Sequence, residues 1–316
     1  MKQILVLAPF LEKHHELLKE SAAGQTLLFR TADTVLEEEL LASHIIIGNP
    51  PIPFLKNAEN LELVCLHFAG ATPYCAPGAL PTGVVLTNAS GAFGEIISEW
   101  LLDMTFHIYQ HLSHYEQNQK EHLWQAGPLP YTLRDKTVLV VGAGDIGTSF
   151  AAKAKLLGAK TIGLRRQDTT PSPAFDAVHR IEVLDDLLPA ADIIALSLPE
   201  TNATKKIINK ERLSAMKKTA VLLNVGRGSA IDTNALLATL QEGKLLGVGL
   251  DVTDPEPLPP NHLLWDAPRV HITPHISGLS AHEDVIDYIA ALSAYNIQAH
   301  LSGKPLKNIV NREIGY

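Results

Sequence analysis

Thr137-Val138-Leu139-Val140-Val141-Gly142-Ala143-Gly144-Asp145-Ile146-Gly147 is the stretch that decides the fold. An unbroken apolar run leads into three glycines spaced G-x-G-x-x-G, and a helical pattern continues through 146–157. Continuous apolarity marks a strand covered on both faces. Glycine clusters are common in turns, so the spacing alone says little. A strand before it and a helix after it supply the context of a dinucleotide-binding turn. Gly142 permits the tight turn, Gly144 lets a pyrophosphate approach the backbone, and Gly147 lets helix and strand pack closely. The helix start at Asp145 and Ile146 offers N–H groups and partial positive charge to a phosphate.

Working outward, the same kind of strand recurs. After 137–141 come 161–164, 192–198, 220–224, 246–251 and 270–273, with helical segments such as 146–157 and 234–242 between them. Before it lie 4–8, 44–48, 63–68 and 84–87, then a long helical stretch over 94–119. Alternation of this kind gives right-handed βαβ crossovers and parallel sheets. The strand series restarts near 137, beyond a Gly/Pro-punctuated connection over 122–133. The reading is therefore α/β, with two Rossmann-like or flavodoxin-like domains. A closing helix is expected over 280–301.

Composition narrows the function. The 316 residues are 46% hydrophobic and 19% charged, enough apolar material for two cores and too much for a disordered chain. A net charge of −8 argues against nucleic-acid binding, which needs a basic face. The two cysteines, Cys65 and Cys75, form no CxxC pair, which fits a reducing, cytoplasmic setting without a disulfide frame. No apolar run reaches the ~20 residues that span a bilayer, so no membrane partner is expected. The apolar start 4–8 is followed by Glu12-Lys13-His14-His15 and reads as a first strand, not a leader.

Arg165 and Arg166 end the second strand of the nucleotide unit, 18 residues beyond Gly147, near the ~20 expected of the ribose-reading position. Binding of NAD(H) calls for Asp or Glu there. Two guanidinium groups instead pair with a 2′-phosphate. The expectation is NADP(H) in preference to NAD(H), with Asp168 as the alternative ribose partner in an NAD(H) reading.

Three polar residues follow late strands, where doubly wound folds place ligands. Arg227 lies in Asn224-Val225-Gly226-Arg227-Gly228, Glu256 in Asp254-Pro255-Glu256-Pro257, and His275 in Thr273-Pro274-His275-Ile276-Ser277-Gly278. Singly, each has an ordinary structural reading. Beside a nucleotide loop they supply what reduction of a 2-keto acid requires: a cation for carboxylate and carbonyl, a proton donor, and a partner that orients the donor.

With these motifs in order, the sequence resembles the D-isomer-specific 2-hydroxyacid dehydrogenase family, and within it the glyoxylate/hydroxypyruvate reductase-like members. The likeness is densest over 137–278 and includes Leu198-Pro199-Glu200-Thr201-Asn202-Ala203-Thr204. The resemblance implies His275 as acid/base paired with Glu256, and Arg227 on the substrate carboxylate. It implies Asp251 on the nicotinamide carboxamide. Ser197, Pro199, Thr204, Val225 and Ser277 join the cofactor set. It also implies that Ala69 and Gly70, in Phe68-Ala69-Gly70-Ala71, grip the substrate through their backbone. The family arrangement is a discontinuous substrate domain, 1–97 plus 285–316, around a nucleotide domain, 98–284, with the site in the cleft between them and a homodimer as the assembly. Phe68 departs from the small polar residue common at that position and bears on substrate size. The chain ends at Tyr316, which leaves no room for a regulatory extension. Two other readings remain: a reductase for bulkier 2-keto acids, and a nucleotide-sensing binding protein of the same fold.

His107, His111 and His114 stand at helical spacing within 94–119. They are read as part of a packed helix, and no metal site is expected. Trp265 fits either a pocket wall or a core position.

Overall fold

The computed structural model describes all residues except Asp168, Ser280, Ala281 and Tyr316. Asp168, the alternative ribose partner, thus lies outside the described residues. The chain divides into two compact units, Met1–Ala92 with Leu279–Tyr316, and Phe93–Gly278. The changeovers fall a few residues ahead of the 97/98 and 284/285 divisions drawn from sequence.

The first unit holds a sheet of β1 (Gln3–Val6), β2 (Thr26–Phe29), β3 (Ile45–Ile47), β4 (Leu63–Cys65) and β5 (Val85–Thr87). Its order is β2-β1-β3-β4-β5 with every pairing parallel. Alternate residues of one strand feed opposite faces. Leu5, Ile46 and Val64 enter one core, whereas Ile4, Ile45 and Leu63 enter the other. That double burial is why these strands read as continuous apolar runs. Ala294 and Ile297 of the last helix, Glu283–Leu301, pack into the second of these cores beside Leu18. The C-terminal segment is thereby tied to the N-terminal sheet. Burying such an aliphatic side chain contributes about 1.5–3 kcal/mol.

The second unit holds seven parallel strands in the order β12-β11-β10-β9-β6-β7-β8. They are β6 (Thr137–Val141), β7 (Lys160–Arg165), β8 (Ala177–Arg180), β9 (Ile193–Leu196), β10 (Val221–Asn224), β11 (Gly247–Leu250) and β12 (Val270–Ile272). The order reverses at β6, which lies between β9 and β7. Ligands of doubly wound sheets bind at such a switch point, outside the strands' carboxyl ends.

Two strands escape the apolar-run reading, β2 and β8. Both are sheet edges and only half covered, so neither carries an unbroken buried run. The long helix expected over 94–119 is two helices, Gly94–Tyr109 and Leu112–Lys120. His111 sits in the break with φ +54°, a left-handed conformation that ends the first helix. His107, His111 and His114 therefore do not share one helix face. Among the described residues no group of His, Cys, Asp or Glu could hold a metal. No helix among them is long and apolar enough to cross a membrane.

Candidate active site

The glycine turn connects β6 to the helix Asp145–Leu156. Gly142 has φ +104°, and a Cβ there would meet the Ser197 carbonyl at 2.7 Å. At Gly147 a Cβ would meet the Gly142 carbonyl at 2.5 Å, whereas at Gly144 it would meet nothing within 4 Å. Bare backbone thus faces open space at the middle glycine, as close approach of a pyrophosphate requires. Among the described residues the N–H groups of Asp145 and Ile146 meet no protein acceptor. These residues fit a dinucleotide phosphate group.

Neighbouring loops are stitched to this turn. Ser197 Oγ donates to the Gly142 carbonyl at 2.7 Å, and Thr204 Oγ1 donates to the Pro199 carbonyl at 2.7 Å. Val225 N–H donates to the Leu196 carbonyl at 3.0 Å. At the end of β7, Arg165 Nε donates to the Ala143 carbonyl at 2.7 Å, so this guanidinium folds back onto the glycine loop. Arg166 follows it at the same strand end.

Arg227, Glu256 and His275 are far apart in sequence but follow β10, β11 and β12, three adjacent parallel strands. His275 Nδ1 lies 2.6 Å from Glu256 Oε1. A carboxylate only accepts, so Nδ1 carries the proton and Nε2 is the nitrogen left for other partners. The two side chains are 47% and 41% exposed, so the pairing is open to a ligand. Arg227 is placed by its own loop. Asn224, fully buried, donates through Nδ2 to the Arg227 carbonyl at 2.9 Å and accepts from the Gly226 N–H at 3.0 Å. Arg227 Nη1 donates to the Gly226 carbonyl at 2.7 Å. A Cβ at Gly228 would fall 2.0 Å from the Thr253 carbonyl carbon and oxygen, so only glycine lets the Arg227 loop lie on the segment that leads to Glu256.

Asp251 ends β11 with its carboxylate turned toward the loop 273–277. It accepts from Ile276 N–H at 2.9 Å and Ser277 N–H at 3.0 Å, and from the hydroxyls of Thr273 and Ser277. Sequence reading assigned Asp251 to the cofactor and did not see this role. It missed Asn224 as well. The only signal for Asn224 is a polar residue that closes the buried run Val221–Asn224.

In the first unit the loop after β4 carries Ala69 and Gly70. Asn49 Oδ1 accepts from the His67 N–H at 3.0 Å, and Asn88 Nδ2 donates to the Ala69 carbonyl at 2.7 Å. Ala89 N–H donates to the Phe68 carbonyl at 3.1 Å. The N–H groups of Phe68, Ala69 and Gly70 have no acceptor among the described residues. Consecutive N–H groups of this kind make an anion-binding concavity. Phe68 is 42% exposed and its ring stands 4.2 Å from that of His67. Trp265 is 50% exposed, with Nε1–H donating to the Pro259 carbonyl at 2.9 Å, so it is not a core residue.

Burial pushes the His67 imidazole down to about 4. It does the same at His271, where the neighbouring His107 adds to the effect. Both rings fold neutral, whereas in the unfolded chain they take up a proton near 6.5. Their contribution to stability is complete above about pH 6.5 and is lost as pH falls toward 4. The thermal midpoint of His271→Gln is expected to fall less steeply than wild type over that window. Parallel pH profiles for the two proteins would contradict this.

The D-isomer specific 2-hydroxyacid dehydrogenase, NAD binding domain, family profile matches residues 102–277. The chain belongs to this family. This dehydrogenase is 32% identical over 266 residues to the glyoxylate reductase of Thermofilum pendens, covering 81% of this chain and 77% of that one. A D-isomer specific 2-hydroxyacid dehydrogenase family protein from Aeromonas salmonicida superposes with a TM-score of 0.88 at 31% identity, covering 98% of this chain and 99% of that chain. A family member from Xanthobacter autotrophicus, solved with NADPH and MES, has a TM-score of 0.84 at 27% identity, covering 100% and 99%. The dehydrogenase is an NAD(P)-dependent oxidoreductase that binds a nicotinamide cofactor.

Proposed function

We propose that this dehydrogenase reduces a small 2-keto acid, of the glyoxylate or hydroxypyruvate kind, to the D-2-hydroxy acid, with NADPH preferred and His275 as proton donor. The observation that carries the reading is the 2.6 Å pairing of His275 Nδ1 with Glu256, on strand ends next to that of Arg227. When bound, the nicotinamide supplies a hydride to the C2 carbonyl carbon. His275 gives its Nε2 proton to the carbonyl oxygen, and Glu256 stabilises the imidazolium and fixes its orientation. Arg227 pairs with the substrate carboxylate and polarises the carbonyl. The Ala69 and Gly70 N–H groups provide a second carboxylate grip. Ser197, Pro199, Thr204, Val225 and Ser277 line the cofactor path.

Phe68 supports a second reading on substrate size. A half-exposed aromatic ring on the substrate loop suits a phenyl or branched 2-keto acid. The two cysteines are unpaired and the chain is acidic, which supports a cytoplasmic setting. A homodimer follows from family resemblance alone.

Initial rates with glyoxylate, hydroxypyruvate, pyruvate and phenylpyruvate, each with NADPH and NADH, test the proposal. The expected result is turnover with higher kcat/KM for NADPH. Each charge-assisted hydrogen bond to a phosphate is worth about 1.5–3 kcal/mol, so Arg165→Ala or Arg166→Ala should lower kcat/KM for NADPH about 10- to 100-fold. The NADH value should hardly move. Equal losses with both cofactors would refute a 2′-phosphate contact. No turnover with any of the four acids would refute the substrate class.

A further inference from the structure

The loop 67–70 follows β4 and is gripped from the ends of both neighbouring strands, β3 and β5. Beyond β3, Asn49 Oδ1 accepts from the His67 N–H at 3.0 Å. Beyond β5, the Ala89 N–H donates to the Phe68 carbonyl at 3.1 Å, and Asn88 Nδ2 donates to the Ala69 carbonyl at 2.7 Å. A peptide unit is planar and trans, so its C=O and the N–H of the next residue point in opposite directions. Tying back the Phe68 carbonyl therefore aims the Ala69 N–H, and tying back the Ala69 carbonyl aims the Gly70 N–H. These two N–H groups meet no acceptor among the described residues.

Asn88 is itself held on every side. It is 6% exposed, and its Oδ1 accepts from the Ser90 N–H at 3.2 Å. Its main-chain N–H donates to the Asn308 carbonyl at 3.1 Å. Asn308 Nδ2 donates in return to the Ser90 carbonyl at 2.6 Å and to the Asn88 carbonyl at 3.2 Å. The C-terminal tail thus fixes the end of β5, and the end of β5 fixes the loop. An amide is suited to this place. Its NH2 group can donate to a carbonyl, which a carboxylate cannot, and it adds no negative charge beside a bound anion.

We infer that Asn88 is a positioning residue that aims the Gly70 N–H, and through the adjoining Ala89 main chain the Ala69 N–H, at the carboxylate of the substrate, with Asn308 holding it in place. The inference rests on the reading of Ala69 and Gly70 as the carboxylate grip of a 2-keto acid reductase. A contact made equally to substrate and transition state acts on KM and leaves kcat alone. That split separates aiming of the loop from general support of the fold.

The experiment measures, on the full chain, kcat and KM for the best keto acid, Ki for oxalate in the presence of NADPH, and the Kd of NADPH by nucleotide fluorescence without substrate. Oxalate offers carboxylates and no reducible carbonyl, so its Ki reports the grip alone. Asn88→Ala should raise KM and Ki together by about 10-fold, with kcat and NADPH Kd within about threefold of wild type. Asn88→Asp keeps the acceptor for Ser90 but turns a carboxylate oxygen onto the Ala69 carbonyl, so both constants should rise further, by about 30-fold or more. Asn308→Gly deletes two donations, and glycine adopts its φ of +55° without strain. It should raise KM and Ki about threefold, and it decides the matter if thermal melting shows the Asn88 variants unfolded. Lower kcat with KM and Ki unchanged would reduce Asn88 to a structural residue and overturn the inference. A parallel weakening of NADPH Kd would overturn it too. Wild type that turns over none of the keto acids overturns the functional reading and this inference with it. Wild-type turnover, with KM and Ki unmoved in all three variants, overturns the role of Asn88 alone.

Discussion

His275→Ala is expected to lower kcat for 2-keto acid reduction by about 10²–10⁴-fold, the range that a positioned general acid supplies. NADPH affinity and the thermal midpoint should change little. The imidazole is half exposed, and among the described residues its side-chain hydrogen-bond partner is Glu256. Alanine keeps a Cβ, so the backbone strain at φ +54° is neither relieved nor increased. The loss should therefore appear in the chemical step, not in folding. Rates of alanine enzyme and wild type that agree within a few-fold would remove His275 from the mechanism.

Arg227→Ala should reduce kcat/KM by about 10³-fold, through a higher KM for the keto acid and a lower kcat together. Loss of one donor to a developing oxyanion costs about 10²–10³ in kcat, and loss of the carboxylate partner adds a binding term. Arg227→Lys should recover only part of this, because an ammonium cannot reproduce the two-pronged guanidinium contact. The loop itself should persist in both variants. Asn224 and Gly226 hold it through main-chain bonds, and Gly228 sets its approach to Thr253. A rise in KM with kcat unchanged would limit Arg227 to ground-state binding. Loss below tenfold would exclude it from the site.

The sequence by itself determined the doubly wound architecture, because the forces that shape it are local. Strands β3, β4, β6, β9, β10 and β11 are buried on both faces and so appear as continuous apolar runs. Glycine spacing marked the phosphate turn, since only residues without a Cβ fit Gly142 and Gly147. Arg227, Glu256 and His275 stood out as polar residues just past such runs. What this pattern could not carry were elements held by partners distant in sequence. The edge strands β2 and β8 are half exposed and have weak apolar signatures of their own. The break at His111 lies within an otherwise helical pattern. Most of all, the pairing of His275 with Glu256 and the hydrogen bonds on Asp251 depend on the adjacency of β11 and β12. Sheet order is set by which apolar faces pack together across the whole unit. A side chain's partner is therefore decided only in the tertiary structure, after the local elements have formed.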